Sequence, residues 1–231
     1  MSRPALNLHE EFRRRGPWIT RFIIDGQVLG GDYDGNNWRT TAFLELYPDA
    51  KTILELGALE GGQSLAIASQ PQVGRVVAVE GRESNINRAR FVQGLVPHGS
   101  KVEFIHADLD HADLTHLGRF DAILCCGILY HLTQPWALLR QCARLSKHLF
   151  LWTHYCESAE TTVAGVEGSW YNEGGAADPL SGLSARSFWP TKAALFEMLS
   201  EAGYGSVSLL RDIPGHQHGP AIALTATVPE N

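Results

Sequence analysis

Between residues 51 and 154 the chain alternates short apolar runs with stretches of helical periodicity. KTILELG (51–57), RVVAVEG (75–81), KVEFIHADL (101–109), FDAILCCG (120–127) and HLFLWTH (148–154) read as strands. Helices are expected over about 62–69, over 84–95 with Ser84 as cap and Ile86, Ala89 and Val92 on one face, and over 135–145 with Pro135 in the first turn. Strands alternating with helices imply a parallel sheet covered on both faces, and continuous apolar strands such as ILEL and AILCC fit burial on both sides. Right-handed crossovers then restrict the topology to the doubly wound type.

After residue 155 the rhythm breaks. Residues 156–187 are rich in Gly, Ser and Ala and show no clear period, as expected of a lid or other long functional insertion. Regular structure resumes with a helix over Thr191–Ala202, stopped by Gly203. Two strands follow, SVSLLRD (206–212) and AIALTATV (221–228), joined only by IPGHQHGP. That connection permits a hairpin and no parallel crossover. The fold class expected is therefore α/β: a doubly wound, mostly parallel seven-stranded sheet with an antiparallel last strand. The first 48 residues read as an extension made of a short helix, a hairpin-like GQVLGGDYDGN stretch and a helix from about Asn37 to Leu46. This extension is either a cap over a pocket or a surface for a homodimer. Residues 49–231 form the main domain.

The chain has 231 residues, 44% of them hydrophobic and 19% charged, enough to bury a large core. A net charge of -6 argues against nucleic acid and anionic membrane as partners. No apolar run approaches the roughly 20 residues of a membrane span, and MSRPALNLHEEFRRRGPW carries charges where a signal peptide needs apolar residues, so a cytoplasmic location is expected. The four cysteines form no CxxC pair and read as small buried hydrophobes; neither a metal site nor a disulfide is signalled.

In an open parallel sheet, ligands bind beyond the carboxyl ends of the strands. The first strand ends in Glu55-Leu56-Gly57-Ala58-Leu59-Glu60-Gly61-Gly62, a glycine-rich turn that is neither a phosphate loop nor a clean GxGxxG. The second ends in Glu80, placed to accept hydrogen bonds from both ribose hydroxyls of a nucleoside. The third ends in Ala107-Asp108, whose carboxylate can accept from an adenine amino group.

These segments, ILELGALEGGQS, VVAVEG, IHADL and FDAILCCGILYHLTQP, in this order resemble the class I S-adenosylmethionine-dependent methyltransferases, with their Rossmann-like fold and terminal antiparallel strand. The LELGALEGG and GILYHLTQP forms are similar to those of small bacterial enzymes acting on sugars or secondary metabolites; Leu59 stands where the middle glycine is usual. The resemblance implies S-adenosylmethionine as cofactor. Gly57, Ala58, Leu59 and Gly61 would bring backbone close to its methionine part, and Glu55 would order that loop or contact the amino group. Glu80 would take the ribose, and Asp108 with the Leu109 amide the adenine. Cys126 and Gly127 would lie beside the reactive methyl. Arg39 is expected at the cofactor carboxylate or the acceptor, or else on the surface.

A small-molecule acceptor with a hydroxyl calls for a base near neutral pKa, which favours histidine. His131 and His154 are the candidates, each alternatively a structural histidine. Tyr130, Tyr155, Trp170, Tyr171, His216 and His218 are candidate acceptor contacts; Asn172, Glu173 and Arg186 could bond its polar groups, and Trp189 is expected to pack the helix start. Two other readings stay open from the residues: a nicotinamide-dependent oxidoreductase, and a non-catalytic nucleoside-binding domain.

Overall fold

The computed structural model describes residues 7–175 and 178–229, so residues 1–6 of the expected extension and 176–177 of the expected lid lie outside the described residues. The chain starts with α1 (Leu8–Arg15), capped by the Asn7 side chain, which accepts from the Glu10 amide. Then come β1 (Thr20–Ile24), β2 (Gln27–Gly30), the short β3 (Tyr33–Asp34) and α2 (Trp38–Leu46). The hairpin lies earlier than expected. β1 pairs antiparallel with β2 and parallel with β3, so the GQVLGGDYDGN stretch contributes two strands that both pair with β1 and not with each other. The turn is Asp25-Gly26, with φ of 49° and 74°, the Asp-Gly pair that a two-residue hairpin of this hand requires.

The alternating core follows as β4 (Thr52–Leu56), α3 (Gly62–Ala68), β5 (Arg75–Glu80), α4 (Glu83–Gln93), β6 (Val102–His106), β7 (Ala122–Cys126), α5 (Pro135–Leu145) and β8 (His148–His154). Helix α4 starts one residue before Ser84, with Arg82 at its N-cap, so Ser84 sits inside the first turn and is not the cap. Its buried face is Asn85, Ile86, Ala89 and Val92.

The 156–187 stretch is not irregular. It holds β9 (Thr161–Val163) and β10 (Val166–Asn172), and β10 pairs with β11 (Arg186–Pro190) in a separate antiparallel sheet. Ala164 and Gly165, at φ of 52° and 86°, make the tight turn between β9 and β10. The strands are short and only half covered, which is why they carry no clear apolar period. The chain closes with α6 (Lys192–Ala202), capped by Thr191 and ended by Gly203, then β12 (Ser206–Ile213) and β13 (Ala221–Thr227).

The main sheet has seven strands in the order β12-β13-β8-β7-β4-β5-β6. β4 to β8 run parallel, and β13 inserts antiparallel between β8 and β12. Successive strand residues face opposite sides. Leu54, Leu56, Val79, Ile123 and Cys125 pack with α5 and α6 on one face, whereas Ile53, Ala78, Ala122 and Leu124 pack with α1, α2, α3 and α4 on the other. Burial of both faces explains the unbroken apolar strands. The glycine-rich and acidic turns that leave β4 to β7 gather at the carboxyl ends of these strands. No helix among the described residues is long and apolar enough to cross a membrane.

Candidate active site

A cavity of about 930 Å³ lies at those carboxyl ends. Its floor is the turn after β4. Gly57, Leu59 and Gly61 have φ of 80°, 50° and 81°, and a Cβ on Gly57 would lie 2.8 Å from Ile128 Cβ. Leu59 is a non-glycine in the left-handed region, held there by its amide, which donates to Glu80 Oε2 at 2.9 Å. Glu80, at the end of β5, also accepts from the Arg82 amide at 2.8 Å and the Asn85 side chain at 3.2 Å. Burial raises its pKa, and the Arg82 and Leu59 amides oppose that. A carboxylate offers about four acceptor sites. Three are used inside the protein, so a buried carboxyl group with one acceptor site to spare lines the cavity. Asp108, Leu109 and Asp110 continue this wall after β6, and Cys126 and Gly127 (φ 78°) form its centre after β7.

The N-terminal segment closes one side. The Glu60 carboxylate accepts from the amides of Ile19 at 3.0 Å and Thr20 at 2.7 Å, with Arg88 3.6 Å away, and so ties β1 to the glycine turn. Gly35 sits against Gly62: a Cβ on Gly35 would come 2.3 Å from the Gly62 carbonyl carbon. Docked in this way, the segment brings Tyr33, Trp38 and Arg39 to the cavity. Arg39 donates to Tyr33 Oη at 3.1 Å and to Asn37 Oδ1 at 3.1 Å, with its guanidinium 4.7 Å over the Trp152 ring.

The other side is aromatic. His154 stacks on Trp189, with centroids 4.9 Å apart and planes 10° apart, and Tyr171 stacks on Trp189 at 3.9 Å and 20°. Tyr130 and Trp152 present edges to His154 at 4.5 and 5.1 Å, and His216 is 5.0 Å away. His154 Nδ1 lies 2.9 Å from the Gly219 carbonyl and 3.1 Å from that of Pro220. Burial lowers the His154 pKa, although both carbonyls favour its charged form. His131, in the turn after β7, has Nδ1 3.0 Å from Glu173 Oε1. Glu173 also accepts from Ser181 Oγ and the Gly182 amide, each at 2.6 Å. Burial alone would raise its pKa; hydrogen bonds from His131, Ser181 and Gly182 outweigh it and hold the carboxyl at about 2. Among the described residues, no three His, Cys, Asp or Glu side chains are grouped to hold a metal ion.

A family model described as a methyltransferase domain matches residues 54–148. The chain is 35% identical to the N-terminal domain of EvdMO1, solved in the presence of SAH and D-fucose. The two agree with a TM-score of 0.85 over 98% of this chain and 100% of that one. The chain belongs to the class I S-adenosylmethionine-dependent methyltransferases. It spans 46% of the whole EvdMO1 chain, at 34% identity and a TM-score of 0.73 over 95% of this one. Over 95 residues it is 28% identical to a ubiquinone biosynthesis O-methyltransferase of Aromatoleum aromaticum, a match covering 41% of this chain and 39% of that protein.

Within this methyltransferase, most of the residues expected at the site line one cavity: Arg39, Gly57, Ala58, Leu59, Glu80, Asp108, Leu109, Cys126 and Gly127, expected at the cofactor, and Tyr130, His131, His154, Tyr171, His216 and His218, expected at the acceptor. Five expected residues stand elsewhere, Arg186 among them, its guanidinium over the Trp170 ring and not at the cavity. Glu55 is fully buried below the turn, where it accepts from Ser64 Oγ; burial pushes it up to about 8, against the Ser64 bond and with added repulsion from Glu80. Gly61 faces Phe104 and Ala89, leaving no side-chain space toward the ligand. Trp170 packs edge-on against Phe188 with the Arg186 guanidinium 4.0 Å over its ring. Tyr155 donates to Asp212, which also binds Lys192. The last two follow from strand parity: Tyr171 and His154 face the cavity, so their neighbours Trp170 and Tyr155 point away. Trp189 does not pack the helix start as expected; β11 carries its ring to the cavity, where its Nε1 donates to the Tyr130 carbonyl at 2.8 Å. No sequence signal marked Glu60 or Arg82, since the amides that bind the Glu60 carboxylate and the carbonyls that bind the Arg82 guanidinium lie 40 residues or more away.

Proposed function

We propose that this methyltransferase transfers a methyl group from S-adenosylmethionine to a hydroxyl of a small molecule such as a sugar. One observation carries the reading. A single cavity is lined by the acceptor-rich carboxylates Glu80 and Asp108 on one flank and by the imidazoles His131 and His154 on the other. In the strand order, β5 and β8 are separated by three spacings, roughly 14 Å, a span suited to an extended nucleoside amino acid. The volume sits near the top of the roughly 300–1,000 Å³ usual for small-molecule sites, leaving room for an acceptor beside it.

The residues present fit the cofactor. Glu80 would hold the ribose, Asp108 and Leu109 the adenine, the 57–59 backbone and Arg39 the methionine end. When bound, S-adenosylmethionine supplies an electrophilic methyl whose leaving group is neutral and needs no proton. The chain's own work is then to orient the acceptor oxygen, exclude water and remove one proton. A neutral imidazole at His131 or His154 serves as the proton acceptor. The stacked wall of Tyr171, Trp189 and His154 offers an apolar face against which a sugar ring can lie. The presence of D-fucose with the EvdMO1 domain supports an acceptor of that kind. Residues 1–48 act as a cap and the 156–187 insertion as a lid.

The test has two steps. Calorimetry should show that S-adenosylhomocysteine binds and that nicotinamide dinucleotides do not. Label transfer from methyl-labelled S-adenosylmethionine should then find an acceptor among deoxyhexoses and their nucleotide-linked forms. Binding without transfer to any hydroxyl or amine acceptor would leave a nucleoside-binding domain in place of an enzyme.

A further inference from the structure

The two imidazoles facing the acceptor flank differ in what holds Nδ1. At His154 the partners are the neutral carbonyls of Gly219 and Pro220. At His131 the partner is the Glu173 carboxylate, 3.0 Å away, in a pair whose side chains are only 15% and 8% exposed. A proton on Nδ1 leaves the lone pair on Nε2 in both rings. Either nitrogen can therefore accept a hydrogen bond from a hydroxyl. Taking the proton outright is a different matter, because it creates an imidazolium. At His131 that charge forms against an anion; at His154 it forms among aromatic rings with His216 beside it.

Glu173 is not supplied by the methyltransferase core. It follows β10 in the 156–187 insertion, and the groups that keep it ionised, Ser181 Oγ and the Gly182 amide, come from the same insertion. The insertion is in turn held by Arg82, whose guanidinium donates to the carbonyls of Asp178 at 2.8 Å and Gly175 at 3.2 Å. The Arg82 amide binds Glu80. The imidazole and its counter-charge thus meet only where the insertion lies over the core.

We infer that Glu173 is a positioning residue: it fixes His131 in the Nδ1–H tautomer and so makes His131 the proton acceptor, while His154 stays neutral and shapes the acceptor wall. What the base is for rests on the methyl-transfer reading; the assignment of tautomer and partner does not.

Glu173→Gln tests this with a definite expectation. Its amide oxygen is claimed by the Gly182 N–H, which can only donate, and that turns the NH2 toward His131. His131 must then accept at Nδ1 and carry its proton on Nε2. Imidazole 15N spectra of the full chain, with His131 assigned by its loss in His131→Ala, should show His131 as the Nδ1–H tautomer in the wild type. In Glu173→Gln it should move to Nε2–H, with the His154 signals unchanged. Glu173→Asp keeps the charge and should keep the Nδ1–H form, whereas Glu173→Ala removes the acceptor and should release His131 from it, which decides the matter if the Gln variant fails to fold. A His131 tautomer that ignores Glu173→Gln, or one already Nε2–H in the wild type, would overturn the assignment. Failure of the wild type to bind S-adenosylhomocysteine would instead overturn the methyl-transfer reading, and the tautomer result would stand on its own.

Discussion

Replacing Glu80 by alanine perturbs the residue on which the nucleoside assignment depends most. Glu80 is 7% exposed, and its carboxyl group already receives two backbone amides and the Asn85 side chain. One ribose hydroxyl on Oε2 would complete its acceptor capacity. A hydrogen bond to a charged group contributes about 1.5–3 kcal/mol. Water entering the space left by the side chain recovers part of this, so a net loss of about 1.5–2.5 kcal/mol is expected, or roughly 10- to 70-fold in Kd. Glu80 also holds the Leu59 amide, so some of the loss arises from a looser turn. Asn85→Ala separates the two effects: it removes one donor to Glu80 and keeps the carboxylate, and should weaken binding less than tenfold. Isothermal calorimetry with S-adenosylhomocysteine measures both. A Glu80→Ala protein that is folded by thermal melting and binds within threefold of wild type would refute the reasoning.

Glu55→Gln should stabilise the protein progressively as pH rises. The carboxyl titrates at about 8 when folded against its ordinary 4.5, so the folded state binds the extra proton between those values and stability falls with rising pH in that window. Gln removes a penalty that reaches up to ~5 kcal/mol above pH 8; equal melting shifts at pH 5 and pH 8 would contradict this. Gly35→Ala forces a Cβ onto Gly62 backbone and should cost about 1–3 kcal/mol, lowering Tm by roughly 3–10 °C and weakening S-adenosylhomocysteine binding together with it. Loss of Tm with unchanged affinity would separate the N-terminal segment from the site. Leu59 occupies φ of 50°, so Leu59→Val, branched at Cβ, should destabilise by about 1–2 kcal/mol whereas Leu59→Gly should not; denaturant melts giving the reverse order would show that the left-handed turn is not what the position demands.

The parts of this molecule legible in its sequence are those governed by local rules. β4, β5, β7 and β8 are unbroken apolar runs because both faces are covered, and Glu80, Asp108 and Gly127 follow from where such strands end. Thr191 and Gly203 mark α6 by their own cap chemistry. Long-range pairing is what stayed hidden. β10 and β11 are joined by contacts such as Ser169 with Trp189, and neither strand has an apolar period of its own. Trp189 consequently reads as a helix neighbour, although it is part of the cavity wall. The Glu60 contacts to Ile19 and Thr20 and the Glu173 contact to His131 span about 40 residues each, and no spacing announces them. Tyr155 and Trp170 mislead for a different reason: each adjoins a cavity residue, and a shift of one position in a strand reverses the side chain.

The central claim is that the ends of β4, β5, β6 and β7 grip an adenosyl group in one crevice with its sulfur toward His131. A crystal structure of this chain with S-adenosylhomocysteine tests it most directly. The account predicts a ribose hydroxyl within hydrogen-bonding distance of Glu80, adenine beside Asp108 and Leu109, and sulfur next to Gly127 with open space leading to the imidazole. A nucleoside bound outside this crevice, or bound within it with its ribose away from Glu80, would contradict the account.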